Sequence, residues 1–213
     1  MECIILTEEN REEILARVEA VIRAEGIAAM PTDTVYGLVC DASNESAIIK
    51  MRAIKRRPRE KAFPIFARDI AMARRYAYIL DAKAGFLENI WPGSVTAVFR
   101  HKEKLPVILT GGRDTIGIRV PDHPFVAALL EKCDTPLAQT SANISDMPPA
   151  KNADEVKRYF DGVAEAPDLL IDGGEVSGVS STVVDFTGAV PLILRSGVLS
   201  KAEIDRMLGN AVN

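Results

Sequence analysis

Apolar residues recur at helical spacing in several stretches and cluster in short runs in others. Cys3-Ile4-Ile5-Leu6 is a short apolar run and predicts a strand. Ile14, Leu15, Val18, Val21 and Ile22 then repeat at three- and four-residue intervals. Asn10 and Glu13 are spaced as a capping box before them, and Gly26 stands where a helix C′ residue is expected. Ile27–Met30 reads as a buried strand that Pro31 stops, since proline has no N–H to donate. A second helix is predicted from Asn44 to Arg57, with Ala47, Ile48, Met51 and Ile54 as its apolar face and Pro58 as its end. Strands are predicted over 62–67, 95–99, 116–121, 136–139, 168–171, 183–186 and 192–194. Helices are predicted over 69–79, 81–90, from Asp122 with Pro124 at N1, over 153–160 with Asn152 and Glu155 as cap, and from the Ser200/Glu203 capping box to about Leu208. Trp91 is expected to anchor the core. Strands and helices alternate irregularly, with no repeat or linker, so the prediction is one α/β domain, residues 1–213, built on an open twisted mixed sheet.

Composition narrows the classes. The chain is 47% hydrophobic and 26% charged over 213 residues, enough for one sizeable core. No apolar run reaches the length of a membrane span, and the N-terminus lacks the pattern of a signal peptide, so a cytoplasmic protein with no membrane partner is expected. Three dispersed cysteines form no CxxC or Cys/His cluster, which argues against zinc and fits a reducing compartment. A formal net charge of −4 argues against broad non-specific nucleic-acid binding, though not against a local basic site.

Five predicted strand or helix ends carry polar groups. Pro31-Thr32-Asp33-Thr34-Val35-Tyr36-Gly37-Leu38 follows a buried strand. It reads either as a strand-to-helix turn with capping hydroxyls or as a ligand site, where Gly37 lets the backbone bend or approach closely. Lys55–Lys61 holds five cations among seven residues, more than a helix dipole requires; a polyanion such as a triphosphate is the alternative to a solvated helix end. Ile116–Pro121 places Arg119 among apolar residues, so it must be ion-paired or bind a carboxylate. Thr140-Ser141-Ala142-Asn143 delivers hydroxyl and amide groups to a loop, either as an Asx/ST turn or as site residues. Ser181 and Arg195 lie beside the last two strands. His101 and His123 have no partner pattern, and no paired carboxylates accompany these groups. Histidine-based catalysis and glycosidase chemistry are therefore disfavoured. Neither GxxxxGK[ST] nor GxGxxG is present. The inventory suits anion binding followed by transfer at phosphorus.

Taken together, PTDTVYGL, the Lys-x-Arg of KRRP, IGIRVP, the Ser-x-Asn of TSAN and SSTVVDF…LRSG resemble the YrdC-type threonylcarbamoyl-AMP synthases over about residues 14–200. The resemblance implies a YrdC-like fold, with helices around a large concave cavity. It implies a nucleotidyltransferase that makes threonylcarbamoyl-AMP and pyrophosphate from L-threonine, bicarbonate and ATP. A separate transferase then uses that product to modify tRNA. Carried over residue by residue, Lys55 and Arg57 are the catalytic pair that holds the phosphates. Arg59, Thr115, Asn143, Lys151 and Arg195 are further ATP contacts. Thr32, Thr34, Arg119, Ser141 and Ser181 form the threonine site, with Thr34 and Tyr36 shaping its wall; Thr32 rather than Asp33 is the residue favoured there. Magnesium is expected on the triphosphate, with no dedicated carboxylate cage. Tandem expectations from the same resemblance are possible RNA or tRNA contact, including double-stranded RNA, and the short form of the family. The alternatives are a non-catalytic RNA-binding module and a related carbamoyl-adenylate-forming enzyme. Two departures stand out. Phe66 occupies a strand in which several relatives carry histidine, and Val39-Cys40 replaces smaller residues, a change that would alter the cavity's shape.

Overall fold

Ten short strands join into one mixed sheet in a computed structural model that describes residues 1–210. They are β1 (Glu2–Ile5), β2 (Ala28–Met30), β3 (Gly37–Asp41), β4 (Ile65–Phe66), β5 (Val95–Arg100), β6 (Thr115–Arg119), β7 (Leu137–Ser141), β8 (Leu169–Asp172), β9 (Thr182–Asp185) and β10 (Leu192–Arg195). Their order across the sheet is β1-β8-β2-β3-β7-β4-β6-β5-β9-β10. The pairs β1/β8, β2/β8, β4/β6 and β5/β9 run parallel and the other five antiparallel. Eight helices connect them: α1 (Arg11–Arg23), α2 (Glu45–Lys55), α3 (Ile70–Tyr76), α4 (Asp81–Ile90), α5 (Val107–Thr110), α6 (Pro124–Cys133), α7 (Ala153–Phe160) and α8 (Lys201–Asn210). The mixed α/β sheet matches the expectation.

Register and the two-residue period of strands divide the sheet into two faces. On one face Ala29, Leu38, Cys40, Ile65, Ala97, Phe99, Ile116, Ile118, Ala138 and Val184 belong to a large core that also takes in apolar residues of α2, α3, α4 and α7. On the other, Ala28, Met30, Val39, Phe66, Leu137, Leu169 and Ile171 pack against α1 and α6. These two helices cover only one half of their face. Over β6, β5 and β9 the alternate positions Thr96, Val98, Gly117, Arg119 and Val183 line a cavity instead and form its floor.

Several local expectations need correction. The residues after Gly37 are strand β3, so Pro31–Tyr36 is the loop of an antiparallel β2/β3 pair and not a strand-to-helix turn. Gly37 sits in that strand, where a Cβ would make only ordinary contacts with Thr32 and Thr140. Asn10 does not cap α1: its Oδ1 accepts from Thr7 N and its Nδ2 donates to Ile5 O, so the side chain closes the β1–α1 turn instead. Glu25, not Gly26, takes the left-handed conformation after α1, at φ 62°. Gly26 answers a packing demand, since a Cβ there would lie 2.6 Å from Val21 Cγ1. Helix α2 ends at Lys55, two residues early, because Arg56 adopts φ 49° and Arg57 N donates back to Arg52 O. The strand expected over 62–67 shrinks to Ile65–Phe66, and a short helix, α5, lies between β5 and β6.

Candidate functional site

A cavity of about 300 Å³ opens on the uncovered half of the sheet. Its floor and walls include Thr34, Arg57, Thr96, Gly117, Arg119, Ser141, Ser181 and Arg195. No Asp, Glu or His is among the lining residues, and the described residues contain no group of three or more His, Cys, Asp or Glu side chains able to hold a metal. Three guanidinium groups therefore face one small volume, which favours an anionic occupant.

The motif loop between β2 and β3 supplies one wall. Thr32 Oγ1 donates to Val35 O (2.7 Å) and accepts from Thr34 N (3.2 Å) and Val35 N (3.3 Å), an ST-type turn. It does not line the cavity, so the favoured residue shapes the loop while Thr34 presents its hydroxyl. Tyr36 also departs from expectation. It points to the opposite face, fully buried, and its hydroxyl donates to Gly174 O (2.7 Å) and accepts from Gly173 N (3.1 Å). It pins the turn after β8; burial pushes its phenol up to about 12.

Arg119 ends β6 and is 2% exposed. Its Nε donates to Gly93 O (2.9 Å) and its Nη1 to Thr34 Oγ1 (3.0 Å), while Nη2 forms an ion pair with Asp33. The guanidinium also lies 5.8 Å from the Phe66 ring centroid. Burial lowers its pKa, opposed by the Asp33 charge. Neither Nη2 nor Asp33 Oδ1 completes a well-directed hydrogen bond. The pattern of the motif favours Thr32, yet Asp33 is the residue that meets Arg119; the lone arginine of IGIRVP, which demands a buried counter-charge, is the sequence feature that points to it.

The cationic segment splits in two. Arg57 lines the cavity, stacks on the Phe63 ring at 4.9 Å and donates to Lys61 O (3.2 Å) and Ala62 O (2.6 Å). Burial, with Arg52 nearby, lowers its pKa to about 10. Lys55, the last residue of α2, is 2% exposed and lies directly behind Ser141. Its Nζ is 2.7 Å from Ser141 O, 3.1 Å from Ser141 Oγ and bonded to Asn143 Oδ1. Asn143 Nδ2 donates to Ile144 O (3.0 Å) and to Met147 O, which fixes the amide with its oxygen toward the lysine. Burial first, then the Arg57 charge, pushes Lys55 down to about 7. The Lys-x-Arg and Ser-x-Asn motifs are thus one unit built across α2 and β7.

Ser181 Oγ lies 2.9 Å from Thr96 Oγ1 and accepts from Arg195 Nη2 at 3.2 Å. Arg195 Nη2 also donates to Ser181 O (2.8 Å). A register shift between Ile193 and Arg195 sets Arg195 opposite Val183, on the cavity face; regular pairing would turn it to the other side. Thr115 shares the face of Gly117 and Arg119 but lies beyond the lining residues. Arg59 is exposed, and Lys151 is paired with Glu175 (2.9 Å) away from the cavity. These three expected contacts are not brought to the cavity wall. Val39 and Cys40 do not line it either; both are buried, one under α1 and α6 and one in the larger core. Thr96, Gly117 and Gln139 line the cavity and were missed, although the alternation within 95–99 and 116–120 marks which positions share the face of Arg119.

The Sua5/YciO/YrdC family model, described as "Telomere recombination", matches residues 20–197. The Threonylcarbamoyl-AMP synthase of Pyrococcus abyssi (strain GE5 / Orsay) is 37% identical over 212 residues, covering 98% of this chain and 62% of that protein. The Threonylcarbamoyl-AMP synthase of Bacillus subtilis (strain 168) is 33% identical over 198 residues, covering 92% of this chain and 56% of that protein. The crystal structure of P. abyssi Sua5 complexed with L-threonine aligns with a TM-score of 0.89 and 34% identity, over 98% of this chain and 60% of that one. The chain thus spans less than two thirds of the length of these relatives. By the extent of the family match and the identity to these relatives, the chain belongs to the Sua5/YciO/YrdC family.

Proposed function

We propose that this chain is an L-threonylcarbamoyladenylate synthase, a nucleotidyltransferase that joins L-threonine, bicarbonate and the AMP moiety of ATP and releases pyrophosphate. One observation carries the reading: a cavity with three arginines and six hydroxyl side chains, and no carboxylate or histidine on its lining. Relatives named Threonylcarbamoyl-AMP synthase, and the L-threonine complex of P. abyssi Sua5, support the choice of substrate.

The chemistry has two stages. The threonine amine adds to the carbon of bicarbonate, and water leaves to give a carbamate. A carbamate oxygen then attacks the α-phosphorus, forming the acyl-phosphate bond as the bond to pyrophosphate breaks. Charge gathers on the phosphoryl oxygens during that step, so fixed cations lower the barrier. Arg57 and Lys55 are the pair assigned to it, with Arg195 and Asn143 as further ATP contacts. Thr34, Arg119, Ser141 and Ser181 form the threonine seat; the Arg119 guanidinium on the cavity lining suits the substrate carboxylate. Thr32 acts indirectly, by holding Thr34. The lining offers no carboxylate set for magnesium, so the protein's own residues do not fit a resident metal, and any magnesium would enter on the triphosphate. Its product would pass to a transferase that modifies tRNA, in the cytoplasm. RNA contact would fall on exposed cations such as Arg56 and Arg59.

The test is pyrophosphate release from ATP with and without L-threonine and bicarbonate. Release is expected only with both, together with a threonylcarbamoyl-AMP product. Release that ignores threonine overturns the proposal.

A further inference from the structure

Lys55 is a buried amine with no carboxylate partner among the described residues, and of the two residues that bond its Nζ, Ser141 lines the cavity and Asn143 does not. Two of its three hydrogen-bonding positions are committed to atoms that can only accept: the carbonyl of Ser141 at 2.7 Å and Asn143 Oδ1, whose amide is locked by its own bonds to Ile144 O and Met147 O. The third position faces Ser141 Oγ at 3.1 Å. In a neutral amine this third position is a lone pair, and Ser141 Oγ–H can donate to it. Ser141 lines the cavity; Lys55 does not. The charged groups around the amine are few. Arg57 on its own segment is cationic, and Asp146, on the loop after β7, is turned to Lys61 at 3.3 Å. Of these only Asp146 favours the charged form, and burial together with the Arg57 charge outweighs it, in keeping with a pKa of about 7.

We infer that Ser141 and Lys55 form a proton relay that removes the proton from the substrate amine before carbamate formation. This rests on the synthase reading above and deepens it. Threonine arrives as an ammonium ion, which has no lone pair with which to attack carbon. Its proton passes to Ser141 Oγ as the serine's own proton passes to Lys55 Nζ. The freed nitrogen forms its bond to the bicarbonate carbon, a C–O bond breaks, and the departing hydroxide takes the amine's second proton to leave as water. The sum is an ammonium, a bicarbonate and a neutral lysine giving a carbamate anion, water and a lysinium; charge and atoms balance. The same lysine is now cationic behind the carbamate, as negative charge builds at phosphorus in the next step. Ser141 is then a catalytic residue in its own right and not only part of the threonine seat.

The experiment is the pH dependence of threonine-dependent pyrophosphate release at saturating L-threonine, bicarbonate and ATP. A base gives activity that rises through a pKa near 7. A lysine that only binds phosphate gives activity that falls through the same value, because the cation is lost. Ser141→Ala is expected to lower the plateau by about 10²–10⁴-fold, the span of general base catalysis, and to remove the rising limb near 7. ATP affinity should remain near wild type, which shows that the variant is folded. Ser141→Thr keeps a hydroxyl and is expected to restore the limb. A falling profile in the wild type, or an Ser141→Ala profile that keeps the limb, overturns the relay while leaving the synthase reading intact. No threonine-dependent release at any pH removes both.

Discussion

Removing the Asp33 carboxylate should destabilise this protein more than any other single truncation near the cavity. Asp33 is the only carboxylate paired with Arg119 among the described residues, and the two side chains are 12% and 3% exposed. Asp33→Ala leaves a guanidinium in the protein interior with two neutral partners, Gly93 O and Thr34 Oγ1. Breaking a buried pair on one side costs about 3–5 kcal/mol. Those two hydrogen bonds, and the open cavity beside the group, place the expected loss at the lower end, about 3 kcal/mol. For a chain of this size that lowers Tm by about 6–12 °C. Arg119→Met in the same background removes the orphaned charge, so the double variant should regain about 1–2 kcal/mol. Thermal and urea unfolding of wild type, both single variants and the double variant close the cycle. A loss below about 0.5 kcal/mol for Asp33→Ala, or strict additivity in the double variant, would show that the pair is not the buried counter-charge described here.

Three other outcomes follow from the same geometry. Lys55 has a folded-state pKa below that of the unfolded chain, so the unfolded state binds the extra proton between about pH 7 and 10.5; stability should rise over that window, and Lys55→Met should abolish this component of the rise in pH-dependent urea melts. Gly197→Ala would set a Cβ 2.2 Å from Ser180 O and 2.4 Å from Ser181 C, both backbone atoms, and should cost about 1–3 kcal/mol, whereas Gly85→Ala, on the exposed face of α4 with nothing within 4 Å, should gain about 0.5–1 kcal/mol; differential scanning calorimetry of the two separates close packing from helix propensity. Arg57→Lys keeps a positive charge but loses the stack on Phe63 and the fixed fork to Lys61 O and Ala62 O, and should lower kcat/KM for ATP at least about tenfold, read from initial rates.

Elements specified by local chemistry were legible in the sequence. Helix α7 spans the predicted residues, and its Asn152 cap accepts from Glu155 N at 2.9 Å. The Ser200/Glu203 box forms in both directions, and Trp91 anchors the core through a bond from Nε1 to Val95 O (2.8 Å). What local rules could not reach was pairing. Gly37–Asp41 is five residues long and is held by β2, across the Pro31–Tyr36 loop, and by β7, far along the chain. Asn10 satisfied the capping pattern yet spends its side chain on Thr7 and Ile5, a competition invisible in spacing alone. The site divides the same way. Residue types that demand a partner, such as the lone Arg119 and the basic Lys55–Arg57 end, pointed to the cavity. Whether Arg195 faces it depends on one irregular pair in β9/β10 that no residue type announces.

The backbone of Thr34 carries a second duty. Its carbonyl accepts from Gly178 N (2.9 Å) and Ser177 Oγ (2.8 Å), so the segment that runs from β8 to Ser181 is moored to the motif loop at this residue. Its hydroxyl, meanwhile, accepts from Arg119. Lifting that mooring to admit a large substrate would loosen the arginine's support in the same motion. One residue thus joins the support of the cavity's arginine to the placement of the segment that delivers Ser181.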